Sequence, residues 1–252
     1  MRTKTLLLAA AALFTAGYTS IQAQVYSQNV VGYANIATPN SALNYMLTIP
    51  FAIGVSNGAN EIWPLVSPGV PSLPDGSTLL IWSSTKNSFT AYISDSGSPT
   101  LWDNAAFFPT NAPVLPVGMG FFLNPGGATT NVFAGTIAVN VGTTNSTALS
   151  SSALNYLIGC AVPYAGSVTN GNNGNPDYAG GPNLSINGGL PDGSTLLVWD
   201  PNANKFVSYV SDSGSPTLWD NSAFFPTNAP SINVGQGFFL NPGGAFTWKV
   251  GL

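Results

Sequence analysis

Residues 73–80 read LPDGSTLL, and residues 190–197 repeat this stretch letter for letter. The match extends outward to 73–128 and 190–245, where about 42 of 56 paired positions are identical at a constant offset of 117. A shorter block, SALNY at 41–45, recurs at 152–156 with an offset of 111. The sequence therefore predicts a duplication whose second copy carries six extra residues, which we place in the Gly/Asn/Pro-rich stretch 170–183.

Apolar segments within each copy are short and end at turn residues. Residues 78–82, 88–93 and 120–123 have the length and composition of strands, and PDG at 74–76 supplies a turn. No apolar pattern of helical period runs for ten residues after the N-terminal region, although 59–66 has room for one or two helical turns. We predict an all-β chain with two tandem homologous β-sandwich-like or barrel-like repeats.

The N-terminus is typical of a secretory signal peptide. Arg2 and Lys4 precede a largely apolar run from Leu6 to Ala16, and Ala23 offers a cleavage site. The run is shorter than the roughly 20 residues that cross a bilayer, so we expect no transmembrane segment in the mature chain. The predicted organisation is a signal peptide at 1–23, β repeat 1 at 24–145 and β repeat 2 at 146–252, in a protein secreted to the periplasm, cell surface or medium.

One predicted strand lies at each boundary of the repeats. These strands are at 29–36 before the first repeat's core, at 131–141 between the repeats and at 246–252 at the end of the second. We expect the middle strand to serve both repeats and the Ser/Thr-rich stretch 142–152 to act as a short tether between tightly associated halves.

Composition excludes several function classes. The chain has 6% charged residues, no His and one Cys, and after loss of the signal peptide its charge is 3 minus 9, or −6. Nucleic acid binding lacks the basic surface that it needs, and triads or metal sites built on His lack their ligand. Cys160 lies in an apolar run, where a buried thiol is expected. We predict no cofactor and no metal.

The DSGS sequence at residues 95–98 recurs at 212–215. It resembles the signature of the aspartic peptidases, in which two lobes each contribute one Asp and the two carboxylates share a proton. The resemblance implies Asp95 and Asp212 as candidate catalytic residues. The alternative is a polar turn in which each Asp accepts backbone N–H bonds, and we expect this alternative and no catalytic residue.

A second motif places an aromatic residue beside two hydrogen-bonding side chains. Its members are the candidate ligand-binding residues Trp102, Asp103, Asn104, Trp219, Asp220 and Asn221. Carbohydrate modules often stack a sugar ring on such a Trp and orient it with such polar groups. The alternative is a Trp that packs beneath a loop, with the Asp capping a turn. A paired action of Asp95 and Asp103 as a glycosidase has no support in their spacing.

Two further patterns have structural explanations in the sequence. Oxygen ligands for calcium are available at Asn170, Asn172, Asn175 and Asp177, but the spacing misses the EF-hand pattern, and a solvated loop is expected. The aromatic pairs at 107–108 and 121–122, with their copies, are expected in the core or between sheets.

Taken together, the N-terminal segment VYSQNVVGY at 25–33, the DGSTLLxW strand and the VGxGFF segments at 117–122 and 234–239 resemble the uncharacterised secreted β-repeat proteins of verrucomicrobial type. The resemblance implies export and a surface or matrix role. We expect an exported non-enzymatic structural or surface-interaction protein of the cell envelope or extracellular matrix, with extracellular polysaccharide or a second copy of the chain as partner. The alternatives are a glycan-binding module and an aspartic-type peptidase.

Overall fold

The computed structural model describes residues 31–67, 70–139, 144–150, 154–169, 181–182, 184 and 189–251. The predicted signal peptide and the four candidate calcium ligands lie outside these residues. The described chain is all-β, as predicted, with several sheets and one short helix. No helix within the described ranges is both long and apolar enough to cross a membrane.

The described residues of the first half, 31–67 and 70–139, form nine strands and one helix. A five-stranded antiparallel sheet has the order β2–β8–β5–β6–β7, β1 and β9 form a separate ribbon, and β3 and β4 form a small hairpin. The elements are β1 (Val31–Thr38), β2 (Tyr45–Thr48), α1 (Ala59–Ile62), β3 (Leu65–Ser67), β4 (Val70–Pro71), β5 (Thr78–Ser83), β6 (Ser88–Ser94), β7 (Trp102–Asn104), β8 (Gly120–Asn124) and β9 (Thr129–Thr136).

The second half, residues 144–251, has a five-stranded sheet with the order β11–β18–β14–β15–β16, beside a β10–β19–β13 sheet and a β12–β17 pair. Among the described residues the outer strands of each five-stranded sheet do not pair with each other, so both sheets are open. The elements are β10 (Thr144–Leu149), β11 (Tyr156–Gly159), β12 (Gly166–Ser167), β13 (Gly181–Pro182), β14 (Thr195–Asp200), β15 (Lys205–Ser211), β16 (Trp219–Asn221), β17 (Ser231–Ile232), β18 (Gly237–Asn241) and β19 (Phe246–Gly251).

Each five-stranded sheet has apolar packing on both faces because β8 and β18 carry consecutive buried apolar residues. Along β8, Phe121 and Leu123 enter a core shared with Phe133 of the ribbon, whereas Phe122 points to the opposite face. Side chains alternate along a strand, so one strand supplies both packing layers. In β18 the same alternation places Phe238 in the core of the second half.

The two sheets meet through an aromatic seam, which consists of six rings: Trp82, Phe89, Phe122, Trp199, Phe206 and Phe239. The indole of Trp82 donates to the Asn155 carbonyl at 2.7 Å, and the indole of Trp199 donates to the Asn44 carbonyl at 2.7 Å. Each half thus donates the same bond to the other. These part-buried hydrogen bonds and edge-to-face ring contacts hold the halves together.

The prediction that one middle strand serves both repeats is wrong in its hydrogen bonding. Strand β9 pairs with β1, and the second half begins its own strand β10 inside the stretch predicted as a tether. The connecting segment links the halves by packing instead, because the Ile137 side chain contacts the cores of both. The helical turn predicted within 59–66 is confirmed as α1.

Candidate functional site

The DSGS loop of the first half is a turn closed by its own atoms. The Asp95 carboxylate accepts the Gly97 N–H at 2.8 Å, and the Ser98 N–H donates to the Asp95 carbonyl at 3.1 Å. The neighbouring Asp75 carboxylate accepts the Ser96 N–H at 2.9 Å. One oxygen of the Asp95 carboxylate thus caps a backbone donor within its own loop.

The DSGS loop of the second half has the same hydrogen bonds. Asp212 accepts the Gly214 N–H at 2.8 Å, and Asp192 accepts the Ser213 N–H at 2.8 Å. The two motifs follow β6 and β15, which lie in different sheets, and the sheets meet mainly through β2, β5, β8, β11 and β18. The described hydrogen bonds of each motif stay within its own half, so no bonded pair of catalytic carboxylates forms.

The two Trp residues of the second motif lie in the cores. Trp102 and Trp219 are 3% and 1% exposed, so neither indole face is open to a sugar ring. The Trp102 Nε1–H donates to the Asn60 side-chain oxygen at 2.7 Å, whereas the Trp219 Nε1–H has no partner among the described residues. This difference arises because Asn60 belongs to α1, which has no counterpart in the described part of the second half.

The two Asp residues of that motif are also buried. Asp103 and Asp220 each leave one carboxylate oxygen without a hydrogen-bond partner in the described structure. The capping role that the sequence offers to an Asp at this place is performed by the next residue instead. The Asn104 side-chain oxygen accepts the Ala106 N–H at 2.8 Å and the Phe108 N–H at 3.2 Å.

These Asn caps shape two loops that expose aromatic side chains. We call residues 104–110 and 221–227 the two Phe loops. Phe107 and Phe108 are 72% and 66% exposed, and Phe224 and Phe225 are 73% and 66% exposed. The prediction that the 107–108 pair and its copy pack in the core or between sheets is therefore wrong, whereas it is confirmed for the 121–122 pair and its copy.

Backbone geometry keeps these rings on the outside. Phe107 and Phe224 have φ angles of 59° and 60°, a left-handed conformation that L residues with bulky side chains rarely adopt. The Phe107 N–H donates to the Asn104 carbonyl at 2.9 Å, and the Asn104 N–H donates to the Phe108 carbonyl at 2.9 Å. In the second half, Asn221 makes the equivalent bonds at 2.9 Å. The two Phe loops thus share one hydrogen-bonded backbone conformation.

A second apolar feature lies at the mouth of the aromatic seam. A cavity of about 250 Å³ is lined by Asn44, Leu80, Phe89, Phe122, Trp199, Phe206 and Phe239. Phe89 and Phe206 are each about two-fifths exposed at its rim. All seven lining residues also hold the halves together or pack against residues that do, so the cavity is part of the interface between the halves.

Two remaining reactive groups are engaged in structure. Burial raises the pKa of the Cys160 thiol, which keeps it protonated and unreactive. The N–H groups of Val55, Ser56 and Gly58 donate to the Glu61 carboxylate and pull its pKa down to about 2. Within the residues that the structure describes, no three His, Cys, Asp or Glu side chains cluster closely enough to hold a metal ion.

Comparison with known proteins assigns no function to this geometry. No protein-family model, no curated protein and no solved structure matches the chain.

Proposed function

We propose that the chain is an exported, non-enzymatic protein of the cell envelope or extracellular matrix, which attaches to a surface through its two Phe loops. The observation that carries this proposal is the pair of loops that hold four Phe side chains about two-thirds or more exposed. Large apolar groups that are clustered and exposed commonly belong to interaction sites. The hydrogen-bonded backbone of each loop lowers the conformational entropy that binding would cost.

The duplication supports attachment as the role. We propose that the two halves are tandem repeats of one β-sandwich-like unit, because about 42 of 56 aligned residues are identical and the five-stranded sheets have matching strand orders. Two equivalent sites on one chain bind an extended surface more tightly than one site does when both reach it, since the second contact forms within the complex.

The ionisable residues support a non-enzymatic role. Asp95 and Asp212 each accept a hydrogen bond from their own turn, and the low pKa of Glu61 reflects three local N–H donors. Paired carboxylates in acid–base catalysis need environments that push their pKa values apart around one reacting group. These carboxylates stabilise turns instead.

Retention on the cell surface tests the proposal. Cells that naturally make the protein are complemented with the wild type or with a variant that changes all four loop rings, at Phe107, Phe108, Phe224 and Phe225, to Ser. We expect wild-type protein to sediment with the envelope and the variant to appear in the medium. The measurement is the ratio of the two fractions by immunoblot.

A matched control removes exposed apolar groups elsewhere. The outward face of the β1–β9 ribbon exposes Val31, Tyr33 and Val132, and their replacement by Ser should leave the distribution unchanged. Envelope retention of the four-Phe variant at the wild-type level would refute attachment through the Phe loops.

A further inference from the structure

The chemistry of the two Phe loops defines the class of partner. Residues 104–113 read NAAFFPTNAP and residues 221–230 read NSAFFPTNAP, so neither segment contains an ionisable side chain. What they offer is aromatic and proline surface flanked by amide and hydroxyl groups. A ligand that matches them has apolar faces and hydrogen-bonding edges, and it carries no charge.

We infer that the two Phe loops bind an uncharged polysaccharide, with pyranose rings lying on the phenyl faces. A pyranose ring presents C–H groups on its faces and hydroxyl groups around its edge. The negative face of an aromatic ring attracts the C–H side of such a ring. The exposed Asn111 and Asn228 side chains follow the rings closely in sequence, and their amides both donate and accept hydrogen bonds. This inference rests on the proposed function and names the surface to which the protein attaches.

The charge distribution separates this partner from charged polymers. The predicted mature chain carries −6, and its only cations are Lys86, Lys205 and Lys249, all outside the Phe loops. An anionic polysaccharide would meet a negatively charged protein without a nearby cation at the contact. Neutral glucans and chitin-type polymers avoid this repulsion.

Other apolar partners fit less well. Protein segments that lie in a bilayer interface combine apolar side chains with Lys or Arg on their polar side. The two Phe loops contain no Lys or Arg. A second copy of the chain would cover the rings, but apolar contact alone would give the adjacent Asn and Thr side chains no hydrogen-bonding partner. Both partners give distinct outcomes in the test below.

Two sites on one chain make the response depend on polymer length. A short oligosaccharide occupies one Phe loop at a time, whereas an insoluble polymer offers binding positions for both. Linked contacts raise overall affinity by roughly 10²–10⁴-fold when the geometry allows both to form. We therefore expect loss of one loop to lower the affinity for the polymer at least about tenfold. The amount of tetrasaccharide bound per protein should fall about twofold, because half of the sites remain.

The test uses the purified protein in sedimentation assays with microcrystalline cellulose, chitin, calcium alginate beads and phosphatidylcholine vesicles. Four proteins are compared: the wild type, F107A/F108A, F224A/F225A and the variant with all four changes. The ribbon variant V31S/Y33S/V132S serves as the control, and near-ultraviolet circular dichroism verifies that each protein is folded. Analytical ultracentrifugation measures self-association in parallel.

The expected result is binding to cellulose or chitin that falls with each loop removed, with no binding to alginate or vesicles. Binding to vesicles alone, a dimer that the four-Phe variant abolishes, or glycan binding unchanged in that variant would each overturn the inference. Release of the four-Phe variant from cells without any binding to neutral polysaccharide would overturn the inference but keep the proposed function. Retention of that variant on cells would instead overturn the proposed function.

Discussion

In the first half of the chain, the buried Trp63 indole donates to the Asn131 side chain at 3.0 Å, and the Asn131 amide donates to the Thr38 hydroxyl at 3.2 Å. In the second half, the residue 117 positions after Asn131 is Trp248, and the strand partner that corresponds to Thr38 is Leu149. The first core thus has a polar triad where the second core has a Trp–Leu pair at the corresponding positions. The surrounding sheets nevertheless have the same strand order.

The Phe loops show the opposite relation. The cap distances in the first half, 2.8 and 3.2 Å, compare with 2.9 and 3.2 Å in the second half. Interiors accept more than one set of side chains if volume and hydrogen bonding are satisfied. A turn that needs a particular Asn cap accepts far fewer alternatives. The comparison teaches that the halves differ where packing is permissive and agree where a loop has a specific shape.

The largest expected effect concerns the line where the halves meet. Thr48 in β2 and Gly159 in β11 are matching positions, and a Cβ on Gly159 would lie 2.4 Å from the Thr48 methyl carbon. We expect Gly159→Thr to lower the free energy of unfolding by about 3 kcal/mol through overpacking. Urea denaturation measures this loss.

The swapped variant sharpens this result. If the halves meet symmetrically, Thr48→Gly combined with Gly159→Thr moves the side chain to the other side of the interface. Most of the stability should return. A double variant as unstable as the sum of the single variants would show that the two sides of the interface are not equivalent.

The polar triad and its apolar counterpart give the second prediction. Asn131→Leu leaves the buried Trp63 N–H without its acceptor, while the Thr38 hydroxyl keeps its bond to the Thr129 carbonyl at 3.3 Å, so we expect a loss of about 2 kcal/mol. Trp248→Phe removes an N–H that has no partner among the described residues. We therefore expect its free energy of unfolding to fall by only about 1 kcal/mol, because of the lost side-chain volume. Equal losses in thermal denaturation would contradict the assigned difference between the cores.

A matched pair of indoles gives the third prediction. Trp102→Phe removes a hydrogen bond to Asn60, whereas Trp219→Phe at the equivalent position removes none in the described structure. Both variants lose similar volume, so the first should be less stable than the second by about 1 kcal/mol. Asn60→Ala should reduce the difference, and chemical denaturation of all three variants checks it.

The smallest effect distinguishes the halves by pH. Glu61 lies in α1, and its folded pKa of about 2 is below its ordinary value of 4.5. The stability that it contributes is therefore fully present above pH 4.5 and is lost as the pH falls through about 2. Amide NMR should show the 53–58 segment loosening over this interval while the Phe loops stay ordered. Glu61→Gln should remove the pH dependence; an unchanged profile would contradict the assigned cause.

Much of the fold follows from local sequence signals. Strands β5, β6 and β8 match the predicted segments to within about a residue, because each lies between turns set by Pro, Gly or Asn. The pairing of β9 with β1 was beyond those signals, since the alternating pattern of a short strand does not specify its partner. The aromatic seam likewise depends on contacts between residues more than 70 positions apart.

The candidate site shows where composition misleads. Hydrophobicity predicts burial equally for Trp102 and for Phe107, but Trp102 lies in a strand that faces the core and Phe107 follows an Asn-capped turn. The signal that was available is the Asn three residues before the first Phe, which favours a local cap over a continuing strand. The left-handed φ of Phe107 has no sequence signature, because Gly or Asn usually occupies such positions.

Photo-crosslinking in living cells tests the central claim most directly. A benzoylphenylalanine at position 108 places the reactive ketone on a Phe loop, and the same residue at position 33 places it on the equally exposed β1–β9 ribbon. After irradiation we expect the position-108 protein to join insoluble envelope material and the position-33 protein to remain extractable. Equal crosslinking from both positions, or crosslinking from position 33 alone, would contradict attachment through the Phe loops.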